Sequence, residues 1–305
     1  MDARKGPPVP LELRPITLGA SSLGDPSRDE DAAALADALL SSEFGQVDTS
    51  NNYAKGNSET ELGRAIRRAG GLPDGTVVFS KVDSEQDTGV FDGDRVKRSF
   101  EETTTRLGLD HLPVLHLHDP YTISFAEAMA PGGAVEALTS LRDQGAVGAI
   151  GIAAGPVDLM LEYVRSDAFD AVLSHNHYTL VDRAGSAIFE AAHERGMTIF
   201  NAAPFGGGML AGSERAAGQY AYQEAPAELL AYVDRLRGLA DEWGIPLAAA
   251  ALHYSLRNPI VHSTVVGISS LGRLDELGRL ATTEVPDGFF AAVDDLGTPP
   301  PSGND

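Results

Sequence analysis

A closed (β/α)8 barrel of the TIM type is the architecture expected of this chain, for three reasons. Eight short apolar runs alternate with longer amphipathic ones, the pattern of a parallel sheet joined by crossover helices. The 305 residues suit one barrel of roughly 250 residues plus short extensions, so a single domain is expected over 1–305. The competing open dinucleotide-binding sheet needs Gly-x-Gly-x-x-Gly between its first strand and helix. Here Leu18-Gly19-Ala20-Ser21-Ser22-Leu23-Gly24 has the wrong glycine spacing, and Gly206-Gly207-Gly208 come only after the seventh strand.

The first strand is expected at 16–19. The helix after it, over 29–43, repeats Ala32, Leu35, Ala36, Leu39 and Leu40 at helical spacing. Strand 46–50 (Gln46-Val-Asp-Thr-Ser50) leads into helix 58–69, and strand 77–82 (Val77-Val-Phe-Ser-Lys-Val82) into helix 93–107. Strand 114–119 (Val114-Leu-His-Leu-His-Asp119) precedes helix 132–144, and strand 149–154 precedes helix 156–165. Strands 171–175 and 198–203 follow, with helix 185–195 between them. Helices 227–243 and 246–256 then lead to the last strand, 263–267, and helix 271–280. The loop 203–226 is long and glycine-rich, and loops of that length in compact barrels are often functional, for example as a cofactor lid. The Pro/Gly/polar tail, 297–305, is expected to be mobile.

The formal net charge of −21 argues against nucleic-acid or anionic-membrane partners. An anionic small molecule remains compatible, since backbone donors and one arginine can bind phosphate. With no cysteine there are no disulfides, thiolate metal sites or thiol nucleophiles. The N-terminus, Met1 to Pro10, lacks the apolar core of a signal peptide, and no apolar run reaches the ~20 residues of a membrane span. A cytoplasmic location is expected. The sequence sets no oligomeric state.

Four side chains lie at or just past strand C-termini, the rim that carries active sites in this fold. They are Asp48, Tyr53, Lys81 and His118. A phenol beside an ammonium is a proton-transfer device: the ammonium is expected to pull the phenol pKa down from ~10. The carboxylate would hold the lysine, and the imidazole would orient a substrate oxygen or pass a proton. Taken singly, Lys81 could be a salt-bridge partner, Tyr53 a loop tyrosine and Asp48 a cap. His116 and His118 share a strand face, as do His175 and His177. A metallohydrolase reading would recruit these with Asp48 and Asp119 as zinc ligands, but it leaves Tyr53 and Lys81 idle. No metal is expected, and His116 reads as a core histidine. Trp243 reads as packing.

The order Asp48-x-x-x-x-Tyr53, Gly56-x-Ser58-Glu59-x-x-Leu62-Gly63, the strand-end Lys81 and Leu117-His118-Asp119-Pro120 resembles the aldo-keto reductase family from about Leu18 to Arg279. The segment Asn201 to Leu210 resembles the bacterial aldose 1-dehydrogenase branch, which has pyridoxal-oxidising relatives. The resemblance implies an NAD(P)-dependent oxidoreductase, with NADP as cofactor and NAD possible. Hydride would move between nicotinamide and a sugar or small aldehyde, with Asp48, Tyr53, Lys81 and His118 catalytic. A pyridoxal-type aldehyde oxidoreductase is the alternative within the family, and a redox-sensing nicotinamide-binding regulator the alternative outside enzymology.

Residue by residue, the resemblance gives Gly19, Ala20, Pro204, Phe205, Gly206 and Leu210 to the cofactor backbone. Gly267, Ser269, Arg273 and Glu276 go to the adenosine phosphate, at a helix N-terminus that favours anions. Gly267 replaces a lysine found in many NADP-preferring relatives. Ala153-Ala154 stand where the family places Ser-Asn, His175 where it places Gln, and Ala202 where an aromatic stacks on nicotinamide. His175 and Asn176 can supply replacement hydrogen bonds. On the substrate side, Ser21 replaces a common Trp. With Tyr53 and His118 it would line a small polar-rimmed pocket.

Overall fold

The structure is a computed structural model that describes residues 12–28 and 31–304. The N-terminal segment read for a signal peptide and the first two residues of the expected helix 29–43 lie outside them. Eight parallel strands close into a barrel: β1 (Ile16–Gly19), β2 (Gln46–Asp48), β3 (Val77–Val82), β4 (Leu112–His118), β5 (Val147–Ala154), β6 (Ala171–His175), β7 (Thr198–Ala202) and β10 (Ser263–Gly267). They run in sequence order around the wall, and β10 seals against β1. A two-stranded hairpin, β8 (Gln219–Tyr220) with β9 (Gln223–Glu224), stands apart.

The helices between strands are α1 (Ala32–Ser41), α2 (Asn57–Ala69), α3 (Gly93–Leu107), α4 (Phe125–Met129), α5 (Ala134–Asp143), α6 (Val157–Arg165), α7 (Ser186–Glu194), α8 (Ala227–Glu242), α9 (Leu247–Leu256), α10 (Leu271–Thr282) and α11 (Asp287–Asp295). Local chemistry sets several ends. Asp31 and Asp92 accept backbone N–H bonds at the starts of α1 and α3, and Gly70 and Gly108 end α2 and α3 in left-handed conformation. Two helices go beyond the sequence expectation. The five-residue α4 is fixed by a capping box between Ser124 and Glu127, and α11 buries Phe289 and Phe290. No helix among the described residues is long and apolar enough to cross a membrane.

Two apolar regions hold the fold. One lies between the barrel wall and the helices and takes in most buried side chains. The other fills the barrel: Phe79, Val114, Ala149, Leu173, Phe200 and Val265 face inward, with the Phe79 and Phe200 rings edge-to-face at 5.7 Å. Period two then decides which residues crown this plug. Phe79 shares its face with Lys81, and Val114 shares its face with His116 and His118. The register places Lys81 opposite His116, and His118 opposite Ala153. The tail expected to be mobile makes contacts: Ser302 donates to Asp182 at 2.5 Å, and Asn304 lies 3.0 Å from the His177 ring.

Candidate active site

Lys81 is the hub. Its side chain is 1% exposed, and Nζ donates to Asp48 Oδ2 at 2.6 Å, to the Thr49 carbonyl at 2.8 Å and to the Tyr53 hydroxyl at 3.0 Å. Three acceptors satisfy all three ammonium hydrogens. Burial alone would lower the lysine pKa, but Asp48 and Tyr53 outweigh it and the net shift is upward, so Lys81 stays charged.

Tyr53 comes from a 3-10 turn, Tyr53–Gly56, in which Ala54 and Lys55 are left-handed at φ 50 and 57. That strained turn is anchored from behind. Arg95 donates to the Asn51 side chain at 2.9 Å, and Arg106 to the Asn51 carbonyl at 2.9 Å. The sequence expectation for this phenol needs correction. Burial is the largest influence and pushes its pKa up to about 12, with Lys81 only partly opposing. The desolvation cost of a phenolate outweighs the nearby ammonium, so Tyr53 is held as an acid.

His118 stands 5.5 Å from the Tyr53 ring, edge-on. Its Nδ1 is 2.7 Å from Asp83 Oδ1, and its Nε2 is 3.7 Å from Asp119 Oδ2. Neither carboxylate figured in the sequence reading of the proton-transfer group. Asp83 had a signal, being two residues beyond Lys81 and so on the same face. Asp119 has φ 43, a strained value for a residue with a side chain. Burial would raise its pKa, but a bond from His175 and the charge of His118 hold it down to about 2.

His116, one pair deeper, is 1% exposed and packs on Gly151, where a Cβ would come within 2.1 Å of its Nδ1. Burial drives its pKa well below the usual value, so it is a neutral core side chain. Among the described residues no group of three or more His, Asp or Glu is arranged to hold a metal ion.

At the β6 end, Asn176 Nδ2 lies 3.3 Å from His175 Nδ1, and His175 Nε2 lies 3.5 Å from Asp119 Oδ1. Asn176 is 3% exposed, yet its Oδ1 has no hydrogen-bond partner.

Beside the mouth opens a cavity of about 670 Å³ between the β1–α1 loop, the segment after β7 and the start of α10. Of the residues expected at the cofactor, Pro204, Phe205, Gly267, Ser269, Arg273 and Glu276 line it, and so does Ser21, which had been expected against substrate. Gly19, Ala20, Gly206, Leu210, His175 and Asn176 are not part of this lining. Leu210 is buried at 1%. Gly206 is required by packing, since a Cβ there would meet the Tyr220 ring at 2.3 Å. Sequence reasoning missed Arg28, Arg215 and Tyr222, all in the wall. Arg28 Nε is buried without a hydrogen-bond partner and lies 3.8 Å from Asp25. The loop 203–226 is not featureless: it forms 3-10 turns at 206–211 and 214–216 and then the β8–β9 hairpin, whose tip carries Tyr222.

The Aldo/keto reductase family profile matches residues 15–298. A D-threo-aldose 1-dehydrogenase from a Pseudomonas species is 30% identical, over 93% of this chain and 94% of that protein. A pyridoxal 4-dehydrogenase from Microbacterium luteolum is 28% identical with the same coverage of both. Among solved structures, the holo form of an aldo-keto reductase from Bacillus halodurans has a similar fold, at TM-score 0.76 and 20% identity, over 94% of this chain and 93% of that one.

Proposed function

This chain belongs to the aldo/keto reductase family of oxidoreductases, and from that premise we propose that it is a nicotinamide-dependent oxidoreductase of the cytoplasm acting on a sugar or small aldehyde. The observation that carries the reading is the buried Lys81 ammonium bonded at once to Asp48 and the Tyr53 hydroxyl at the mouth of the barrel. It presents a protonated hydroxyl, held by an ion pair, beside the His118 ring.

The cavity suits a dinucleotide. It offers three guanidinium groups, Arg28, Arg215 and Arg273, with Ser269 and Ser270 at the start of α10, and the unbonded Nε of Arg28 wants an acceptor. In this reading Arg273, in the cavity wall at the start of α10, meets the 2′-phosphate. Glu276 accepts from it at 2.6 Å and partly neutralises it, so we expect use of both cofactors with a modest lean to NADP(H). With Ala153 and Ala154 in place of the usual clamp, the orphaned Asn176 Oδ1 is a ready acceptor for the carboxamide N–H, with His175 beside it.

When bound, the nicotinamide supplies or takes up hydride at its C4. Tyr53 donates its proton to the carbonyl oxygen in reduction. Lys81 holds that hydroxyl in place and stabilises the charge left behind, while Asp48 fixes Lys81. His118 hydrogen-bonds the same oxygen. The relatives point to two substrate classes, aldoses and pyridoxal-type aldehydes. The test is cofactor absorbance followed with aldoses, hydroxylated aldehydes and pyridoxal, each with NADP(H) and NAD(H). Tight cofactor binding with no turnover of any carbonyl or carbinol would favour a redox-sensing regulator instead.

A further inference from the structure

His118 has two ring nitrogens, and the structure gives them unequal neighbours. Nδ1 meets Asp83 Oδ1 at 2.7 Å and Ser50 Oγ at 3.1 Å. The Ser50 hydroxyl donates its hydrogen to Asp83 Oδ2, which also accepts from the Asn52 backbone N–H at 2.9 Å. Both groups facing Nδ1 are therefore acceptors, and that nitrogen must carry a hydrogen whatever the charge of the ring. The Asp83 side chain is only 7% exposed, so water competes little for this bond. We infer that Asp83 is a positioning residue of the reaction: it holds the Nδ1–H of His118 and leaves Nε2, on the far side of the ring, as the atom that gains or loses the proton. This rests on the hydride-transfer reading above.

The consequence is a division of labour by charge. With the ring protonated, Nε2–H can donate to a carbonyl oxygen, which suits reduction. With the ring neutral, Nε2 offers only a lone pair, which suits the hydroxyl of a carbinol awaiting oxidation. In neither case does His118 need to give up the Nδ1 proton: in reduction the proton added to the carbonyl oxygen comes from Tyr53 while Nε2–H steadies that oxygen, and in oxidation the carbinol proton goes to the bare Nε2, since Tyr53 is already protonated.

The groups around the ring decide where the changeover falls. Asp48, Ser50 and Tyr53 face it from the β2 end, Lys81 and Asp83 from β3, and His116 and Asp119 from β4, with His175 from β6 behind Asp119. Burial pushes the His118 pKa down and Lys81 adds to that. Asp83 and Asp119 more than reverse both, so the net shift is upward. The changeover is thus shifted upward from the ordinary histidine value, and Asp83 contributes most of the rise.

The test is the tautomer itself. Long-range 1H–15N spectra of the 15N-labelled chain are recorded across the pH range without substrate, with His118 assigned by its loss in His118→Gln. The expected neutral ring is protonated at Nδ1 and bare at Nε2. Asp83→Asn should invert this, because the Asn52 N–H keeps the amide oxygen on its side and turns the NH2 toward Nδ1. Its His118 should also titrate at lower pH. Asp83→Glu, which keeps an acceptor, should keep the wild-type tautomer.

In kinetics, wild-type reduction should fall and oxidation rise through the His118 pKa. Asp83→Asn should lose the reductive limb and slow oxidation roughly tenfold or more, the order of one misplaced hydrogen bond. A neutral wild-type ring protonated at Nε2 would overturn the inference, and that result needs no variant to fold. So would an Asp83→Asn protein with unchanged tautomer and unchanged pH limbs. Failure to turn over any substrate would overturn the hydride-transfer reading separately, leaving the spectrum to decide the Asp83–His118 pair.

Discussion

In the proposed reaction Tyr53 and Lys81 form the proton-donating pair, and burial sets its polarity. A phenol whose pKa is pushed up to about 12 is protonated at every pH below that value. Its ionisation therefore cannot limit reduction near neutrality. In His118→Gln, where the other titrating group is gone, reductive kcat/KM should show no alkaline fall below about pH 10, the unperturbed tyrosine value. A fall centred near neutrality would place a different acid in the step. Tyr53→Phe removes only the hydroxyl, so turnover should drop by about 10²–10⁴-fold. Cofactor binding, read by fluorescence quenching, should stay close to wild type. At the far end of the cavity Arg273 is 39% exposed along its side chain and already paired with Glu276, so the lower end of the ~1.5–3 kcal/mol range for charge-assisted bonds applies. Arg273→Ala should raise the NADP(H) Michaelis constant roughly tenfold and leave that for NAD(H) nearly unchanged. Equal effects would mean that this guanidinium does not read the 2′ position.

The β8–β9 hairpin is the element whose local chemistry fits its conformation least. Its two-residue turn, Ala221-Tyr222, takes positive φ at both positions, 49 and 71. Hairpins of that geometry favour Asn-Gly, and a side chain there costs about 1 kcal/mol or more. Tyr222 is nevertheless 74% exposed and lines the cavity. Strain kept at such a place points to use of the side chain; under the proposed function it would cover the dinucleotide. Tyr222→Gly should relax the turn, leaving Tm unchanged or slightly raised, while weakening cofactor affinity in a direct titration. Loss of both together would show the ring to be a structural prop. The hairpin is tied to the barrel through Tyr220, whose hydroxyl donates to the Asn176 carbonyl at 2.6 Å. The same carbonyl belongs to the residue with the orphaned Oδ1, so the hairpin and the β6 end share an anchor.

Across the whole molecule, 44 acidic residues face 23 basic ones, and the surplus repels itself. Raising ionic strength from about 0.01 to 0.15 M shrinks the Debye length from ~30 to ~8 Å. The buried Lys81–Asp48 pair is shielded from that change. Tm measured by calorimetry should therefore rise with salt over this range. A steady fall would mean that the surface ion pairs, such as Arg68–Asp37 and Arg237–Asp234, outweigh the net repulsion. The acidic surface also makes the three arginines of the cavity a local exception, which is where an anionic cofactor has reason to settle.

Much of this was legible along the chain, because strand and helix periods are local properties. The eight strands, the barrel they close and the rim positions of Asp48, Tyr53, Lys81 and His118 follow from apolar periodicity and from a motif whose spacing is written in one dimension. The short α4 and the late α11 escaped because five residues carry little periodicity, and because α11 has meaning only once Phe289 finds Trp243, 6.1 Å away. Three things needed the tertiary structure. The direction of the Tyr53 shift depends on burial, which is summed over neighbours from many elements. The Asp83–His118 bond depends on which residues end up side by side on adjacent strands, a matter of register. The cavity, with Arg28, Arg215 and Tyr222 in its wall, exists only where loops from opposite ends of the sequence meet. Sequence fixes which face of an element a residue occupies; only the closed barrel decides what that face looks upon.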